Sequence, residues 1–473
     1  MNLEKKNNIN YTLLTNLVFS FFPISFILGN LIINLNLLLF CCLGIFHLKS
    51  RILKIKFDFV TKIILLFFFI VFFSTALSFL KFLYIDGYEY NNLSRLIKSI
   101  AFFRFFLMLI IVYLLTEFGV LNLKYFFISA AFFPILVSID VIFQYFFSFD
   151  LIGLEGFHIE AVPIGRYNAG FFGDELIAGG YIKNFSFFSI LFLAFKFKNK
   201  NYTRFIFTLL AICVLGLGIL VSGNRMPLLL FLLGLLLVFL FNVNLKKIIP
   251  VSIISLFIIF YFIASTDQYR KHQFIDLFGN MKQVVIALNK ELIHKQKYII
   301  GFETEDEKLK IKGNNIIADD FEFFWVNNTG REGYVALYLT AFDLWKENKI
   351  FGNGIKSFRK DCIKLYKYKD YRMCSNHPHN YYLEILVESG IVGLLCAGTL
   401  ALIFLIFIFK NFKFIRGSNI ENFILSASII SLIIEVFPFR NTGSIFTTAN
   451  ATYIIIISSI ALSYSRQLKN QNF

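Results

Sequence analysis

Apolar residues run in blocks along most of the chain, each roughly 18 to 22 residues long, with short polar stretches between them. About 20 apolar residues are what an α-helix needs to cross the hydrocarbon core of a bilayer. The blocks predict membrane-spanning helices over 12–29, 31–46, 59–80, 99–118, 125–147, 179–195, 205–222, 226–242, 248–265, 382–409, 420–437 and 446–463. The expected fold is therefore an all-α polytopic membrane protein with about twelve transmembrane helices. Residues 1–265 carry helices 1–9, residues 266–381 form a loop domain between helices 9 and 10, and residues 382–473 carry helices 10–12.

Composition supports this pattern: 57% of the 473 residues are hydrophobic, 64 are Phe, and mean hydropathy is +0.69. A soluble globular enzyme is excluded. The formal net charge of +16 raises nucleic-acid binding as a possibility, and the location of the charge decides it. With the N-terminus cytoplasmic, the cytoplasmic segments hold 18 Lys and Arg, against six in the short loops of the opposite face (Lys81, Arg95, Lys98, Arg166, Arg225 and Arg440). The cytoplasmic acids are only Glu4, Asp58 and Glu421, so 18 minus 3 places +15 of the +16 on that face. The positive-inside rule explains the excess as orientation, and no nucleic-acid partner is expected. The first apolar block follows Lys5 and Lys6 as a signal peptide would, but no small-residue cleavage site follows it, and it reads as an uncleaved helix.

The 266–381 segment holds 19 basic and 15 acidic side chains and lies on the exported face, where a small, partly helical periplasmic domain is expected. Helical spacing is visible at 281–300 and at 333–348. The first of these is basic and amphipathic, suited either to lying on the membrane or to packing on its own domain. Cys362 and Cys374 fall in this exported segment, where a disulfide is permitted and expected. Such a bridge would tie the chain just ahead of the sequence's sharpest local feature.

That feature is His377-Pro378-His379-Asn380, where the exported segment becomes a span. Asn380 suits an N-cap, and the positive end of the following helix favours a nearby anion and a neutral imidazole, the state of a general base. Purely structural histidines remain an alternative reading. Zinc ligation by His377 and His379 is another, although no Cys or carboxylate lies at ligand spacing. A second feature is Ser222-Gly223-Asn224-Arg225-Met226-Pro227 on the same face. Arg225 there is placed either to snorkel to headgroups or to grip a phosphate. Asp140, Glu435 and Arg104 are ionisable groups in or near spans, and they make a transporter or lipid-linked glycan flippase the rival reading.

The chain resembles the O-antigen ligase and O-antigen polymerase superfamily of bacterial envelope glycosyltransferases. The resemblance rests on HPHNYYLEILVESGIVGLL, on SGNR at the end of the seventh span, on GRYNAGFFGDELIAGGY and on FDLWKENKIFGNGIKSFRKDC, and covers roughly residues 160–396. It implies transfer of a glycan from undecaprenyl pyrophosphate to an acceptor hydroxyl at the outer face of the inner membrane, without a metal or other cofactor. By position, His379 resembles the family's essential histidine and Arg225 its membrane-boundary arginine. The second arginine is expected near Tyr334; Arg331 lies one helical turn earlier, and Arg372 is an alternative. Lys349 stands where a proline commonly precedes the Gly-x-Gly, a milder departure.

The reaction this implies is an inverting displacement in which His379 takes the acceptor proton while Arg225 and Arg331 hold the pyrophosphate. Arg166, Glu175, His377, Asn380 and Glu388 are expected in supporting or substrate-binding roles. Lipid A-core is the expected acceptor, which makes the protein a ligase; a lipid-linked repeat as acceptor would make it a polymerase.

Overall fold

The computed structural model describes residues 2–55, 57–85, 90–153, 167–173, 175–267, 271, 334–366, 374–440 and 443–470. Among these the structure is all-helical. The helices are α1 (Asn2–Ser20), α2 (Phe22–Ile27), α3 (Asn30–Leu48), α4 (Phe59–Ile85), α5 (Tyr90–Glu117), α6 (Leu123–Phe147), α7 (Ala178–Lys196), α8 (Asn201–Val221), α9 (Arg225–Phe241) and α10 (Ile248–Thr266). After the large loop come α11 (Tyr334–Glu347), α12 (Phe358–Tyr366), α13 (Tyr381–Lys410), α14 (Ile420–Glu435) and α15 (Thr448–Asn470).

Every apolar block of the sequence falls on these helices, the first, 12–29, divided between α1 and α2, because runs of Leu, Ile and Phe satisfy backbone groups internally while offering lipid or neighbours a continuous apolar surface. Among the described residues, eight helical segments are long and apolar enough to cross a membrane: Asn30–Ile52, Phe59–Lys81, Leu93–Glu117, Leu123–Phe147, Ala178–Lys196, Asn201–Val221, Ile248–Thr266 and Tyr381–Lys410. Tyr11–Ile27 and Arg225–Phe241 are apolar but shorter. Short turns reverse the chain between packed neighbours such as α7 and α8. Contacts through α7 gather the 222–225 turn, the 375–380 segment and the 436–440 loop at one end of the bundle, away from the lysine-rich turn between α7 and α8.

Packing joins sequence-distant helices. The first half of the chain packs through α6 with α7 and α7 with α8, and the last helices close on it through α14 with α7 and α15 with α5. At the lysine-rich end, polar groups lock the helix turns. Asn16 donates to the Val120 carbonyl at 2.9 Å and accepts from the Asn122 N–H at 2.6 Å, while Arg466 pairs with Asp58 and Tyr113.

The expected continuous span over 382–409 is broken. Gly390 inside α13 has φ +65°, a left-handed conformation that leaves the carbonyls before it and the N–H groups after it without helical partners. The segment between α11 and α12 supplies those partners. Asn353 and Gly354 N–H donate to the Val387 and Glu388 carbonyls, each at 2.9 Å, and Ile391 N–H donates to Lys349 O at 3.0 Å. Ser74 of α4 adds a bond to the Glu388 carbonyl at 2.6 Å and another to Phe351 O. The Gly-x-Gly of Gly352-Asn353-Gly354 fits because a Cβ on Gly352 would strike the backbone of Glu388, Ser389 and Gly390. Irregular backbone is thus admitted between membrane helices where protein groups satisfy it.

Of the loop domain expected over 266–381, α11, α12 and the approach to His379 are described. Leu337, Ala341 and Leu344 of α11 pack with Phe358 and Cys362 of α12 and with Val387 of α13 in a small core of their own. The helix expected at 281–300 lies outside the described residues.

Candidate functional site

The first turn of α13 is built by Asn380. Its side-chain oxygen accepts from the N–H groups of Tyr382 (3.0 Å) and Leu383 (3.1 Å), the N-cap arrangement expected from sequence, worth about 1 kcal/mol. Its amide nitrogen donates to the carbonyls of Pro438 (2.9 Å) and Arg440 (3.3 Å), so the same residue fastens the 436–440 loop to the helix start. Immediately before it, His379 adopts φ +56°, a left-handed conformation uncommon for a residue with a Cβ. Its Nε2 lies 3.5 Å from Ser375 Oγ. The His377 ring sits against it with centroids 4.2 Å apart. Burial holds both imidazoles below the ordinary histidine range; His377 falls to about 4, with the neighbouring His379 adding to the effect. Both are therefore neutral near pH 7, and the buried His377 Nε2 has no hydrogen-bond partner among the described residues. Among the described residues no group of three His, Cys, Asp or Glu side chains is placed to hold a metal ion.

Cys362 and Cys374 are joined, with Cα atoms 5.3 Å apart, and tie α12 to the segment leading into Ser375. The histidines are thus held from three sides, by the disulfide, the Asn380 cap and the 436–440 loop.

Beneath them lies a buried charge network. Glu435, at the end of α14, pairs with Lys183 of α7 at 2.7 Å and with Arg440, and accepts from the Tyr381 hydroxyl at 2.8 Å. Arg440 also donates to the Glu435 carbonyl at 3.0 Å and lies over the Tyr381 ring, 4.7 Å from its centroid. Glu384, one turn along α13, accepts from Ser444 Oγ at 2.5 Å and from Ile445 N–H at 2.9 Å. Glu388, one turn further, is 2% exposed, and its Oε2 has no partner among the described residues.

Arg225 is the first residue of α9 and is half-buried; its guanidinium makes no hydrogen bond or ion pair with a described residue. The turn before it is fixed. Asn224 accepts from Gly179 N–H at 3.1 Å and donates to Leu176 O at 3.2 Å. Gly179 and Lys183 are one turn apart on α7, so contacts run from the Arg225 turn through α7 to Glu435, Tyr381 and the His379 loop. The sequence places Arg225 and His379 on one face, and this chain of contacts brings their loops to one end of the bundle. Glu175 is exposed on the neighbouring loop, which Asp140 pins by accepting from Leu151 N–H (2.9 Å) and Phe171 N–H (2.7 Å). Arg166, Arg331 and Arg372 lie outside the described residues.

Sequence reasoning missed a group of cations around the two buried glutamates. Lys356, in the segment that fills the α13 break, has Arg359, Lys98, Glu388 and Glu384 as its charged neighbours. Lys183 was also missed, although a lysine interrupting the apolar run Tyr181-Ile182-Lys183-Asn184-Phe185 is a legible signal for a buried partner. Arg440 counted only as a topology charge.

These features define a polytopic helical membrane protein with a neutral histidine pair held at the start of a broken span. A family model described as O-antigen ligase matches residues 208–398, from α8 through the break in α13, and over that stretch the chain is similar to this family of glycan ligases and polymerases. No curated protein matches the chain.

Proposed function

We propose that this protein is an O-antigen ligase of the bacterial inner membrane, moving a glycan from undecaprenyl pyrophosphate to a hydroxyl of lipid A-core at the periplasmic face. The observation that carries this reading is His379: a buried, neutral imidazole, held in a left-handed backbone conformation at a capped helix start, at the same end of the bundle as the unpaired Arg225 guanidinium.

In this reaction His379 accepts the proton of the acceptor hydroxyl as its oxygen attacks the anomeric carbon. The bond from that carbon to the pyrophosphate oxygen breaks, and undecaprenyl pyrophosphate leaves with the bonding electrons. One displacement inverts the anomeric centre. Arg225, with Arg331 as its partner from the loop domain, neutralises the charge growing on the leaving group, and the scheme calls on no metal ion. Asn380 and the disulfide orient the histidine, His377 excludes water beside it, and Glu388 steers Lys356. Arg166 and Glu175 belong to a loop suited to contacting the sugar or carrier. Residues 266–381 are assigned to the periplasmic side, while 1–265 and 382–473 supply the membrane helices and, with both termini cytoplasmic, the lysine-rich face.

Two of the ionisable groups that favour a flippase have structural partners: Asp140 holds a loop and Glu435 sits in an ion cluster, which supports the transferase reading over transport. A deletion strain's lipopolysaccharide tests the reading. Core lacking all O-antigen is expected; core bearing a single repeat would make the protein a polymerase. In membranes, His379→Ala should lower transfer about 10²–10⁴-fold, the range for losing a general base, and near-normal transfer would remove the histidine from the mechanism.

A further inference from the structure

A cavity of about 240 Å³ opens between α4, α5, α13, α14 and α15, lined almost wholly by carbon: Phe67, Phe68, Phe102, Phe105 and Ile385 are among its walls. It reaches from Leu462 and Phe407 toward Tyr381, Tyr382 and Ile445 beside the histidine site. Its upper rim is charged. Ile385 and Ile445 flank Glu384, through the chain and through the Ile445 N–H bond respectively, and Glu384 is a charged neighbour of Lys356. Phe102 lies one turn of α5 from Lys98. Arg95, on the preceding turn, pairs with Asp361 at 3.7 Å and donates to Asn353 O at 3.5 Å, fastening α12 and its Arg359 to α5.

The rim cations are arranged for a ligand. The side chains of Lys98, Lys356 and Arg359 make no hydrogen bond or ion pair with a described residue, although they neighbour one another. Asp361 is engaged by Arg95, and Glu384 by Ser444 and Ile445. Lys356 holds φ +57° outside any helix end, where glycine would be unstrained, so an ammonium is retained at the expense of backbone comfort. Glu388 and Glu384 lie near Lys356, but no described carboxylate is hydrogen-bonded to the three cationic side chains, and like charges so placed are stabilised by an anion brought from outside.

We propose that Lys98, Lys356 and Arg359 bind the pyrophosphate of a polyprenyl pyrophosphate whose chain enters the apolar cavity below them. A single tail fits: at about 30 Å³ for a water-sized group the cavity takes roughly eight such groups, part of one isoprenoid chain rather than the several acyl chains of lipid A. This assignment rests on the transferase reading for the identity of the lipid.

The test is equilibrium binding of labelled undecaprenyl pyrophosphate to the purified full chain in phosphatidylcholine nanodiscs. Combined Lys98→Gln, Lys356→Gln and Arg359→Gln should weaken binding about tenfold or more. Lys356→Gly, which removes the ammonium while suiting the backbone, should weaken it without lowering Tm. Ala397→Phe, at the cavity wall, should weaken binding of the pyrophosphate lipid and not of inorganic pyrophosphate. Wild-type affinity in a folded triple variant overturns the proposal, as does displacement of the polyprenyl lipid by lipid A-core. Binding is read without turnover, so a deletion strain with unaltered lipopolysaccharide would sink the transferase reading and leave this result standing.

Discussion

Lys183, Glu435 and Arg440 form one charged cluster at the histidine end of the bundle; Lys98, Lys356 and Arg359 form another. In the first, one carboxylate holds two cations and a tyrosine hydroxyl, and every charge is buried. In the second, three half-buried cations neighbour one another and have no hydrogen-bonded acid. Charge removed from water between apolar helices persists only with compensation. Where the compensation is internal, as at Glu435, the cluster joins α7, α14 and the 436–440 loop into architecture. Where it is partial, with Glu388 and Glu384 near Lys356 but hydrogen-bonded to none of the three cationic side chains, the group is poised for an anionic ligand. The contrast also separates groups whose loss unfolds the protein from groups whose loss leaves a folded but empty site.

Substitutions should break that contrast in a definite order. Glu435→Gln leaves Lys183 and Arg440 facing each other in the interior and should lower stability by on the order of 3–5 kcal/mol, read as a fall in Tm in detergent. An unchanged Tm would mean that the cluster is no structural joint. Gly390→Ala puts a methyl group against the Ile350 carbonyl at a left-handed position, and a loss of about 2 kcal/mol is expected, with transfer falling as the α13 break shifts. Lys98→Gln, which removes no internal partner, should change stability by less than about 1 kcal/mol while weakening lipid binding.

A further effect is expected from pH. His377 and His379 are held below the ordinary histidine value of about 6.5 by burial, so the unfolded chain takes up protons first as pH falls. Stability should be full above about 6.5 and decline toward the His377 value of about 4, with transfer lost on the same acid side as His379 protonates. Thermal unfolding and transfer followed from pH 8 to 4 check the sign, and stabilisation on acidification would contradict buried neutral imidazoles.

Much of the fold was legible because membrane helices obey local rules. Length and apolarity fix where a helix can span, and the Asn380 cap depends on residues three positions apart, so both could be read from neighbours in sequence. The break in α13 was not legible. Glu388-Ser389-Gly390-Ile391 continues an apolar helical pattern, and only the Gly352-Asn353-Gly354 segment, some 35 residues earlier, shows why the backbone turns there. Likewise the His-Asn motif marked one side of the site, whereas Lys98 and Lys356 read as an orienting charge and an ordinary loop lysine.

Sequence alone was enough for the helical membrane class, the cap on α13 and the histidine that precedes it, because each follows from hydrophobic length or from bonds within one turn. Tertiary structure alone decided which charges are spent and which are available. Lys183 finds Glu435 across 252 positions and Arg95 reaches Asn353 across 258. Whether a buried ion has a partner is a property of distances between helices, and no local pattern encodes those distances.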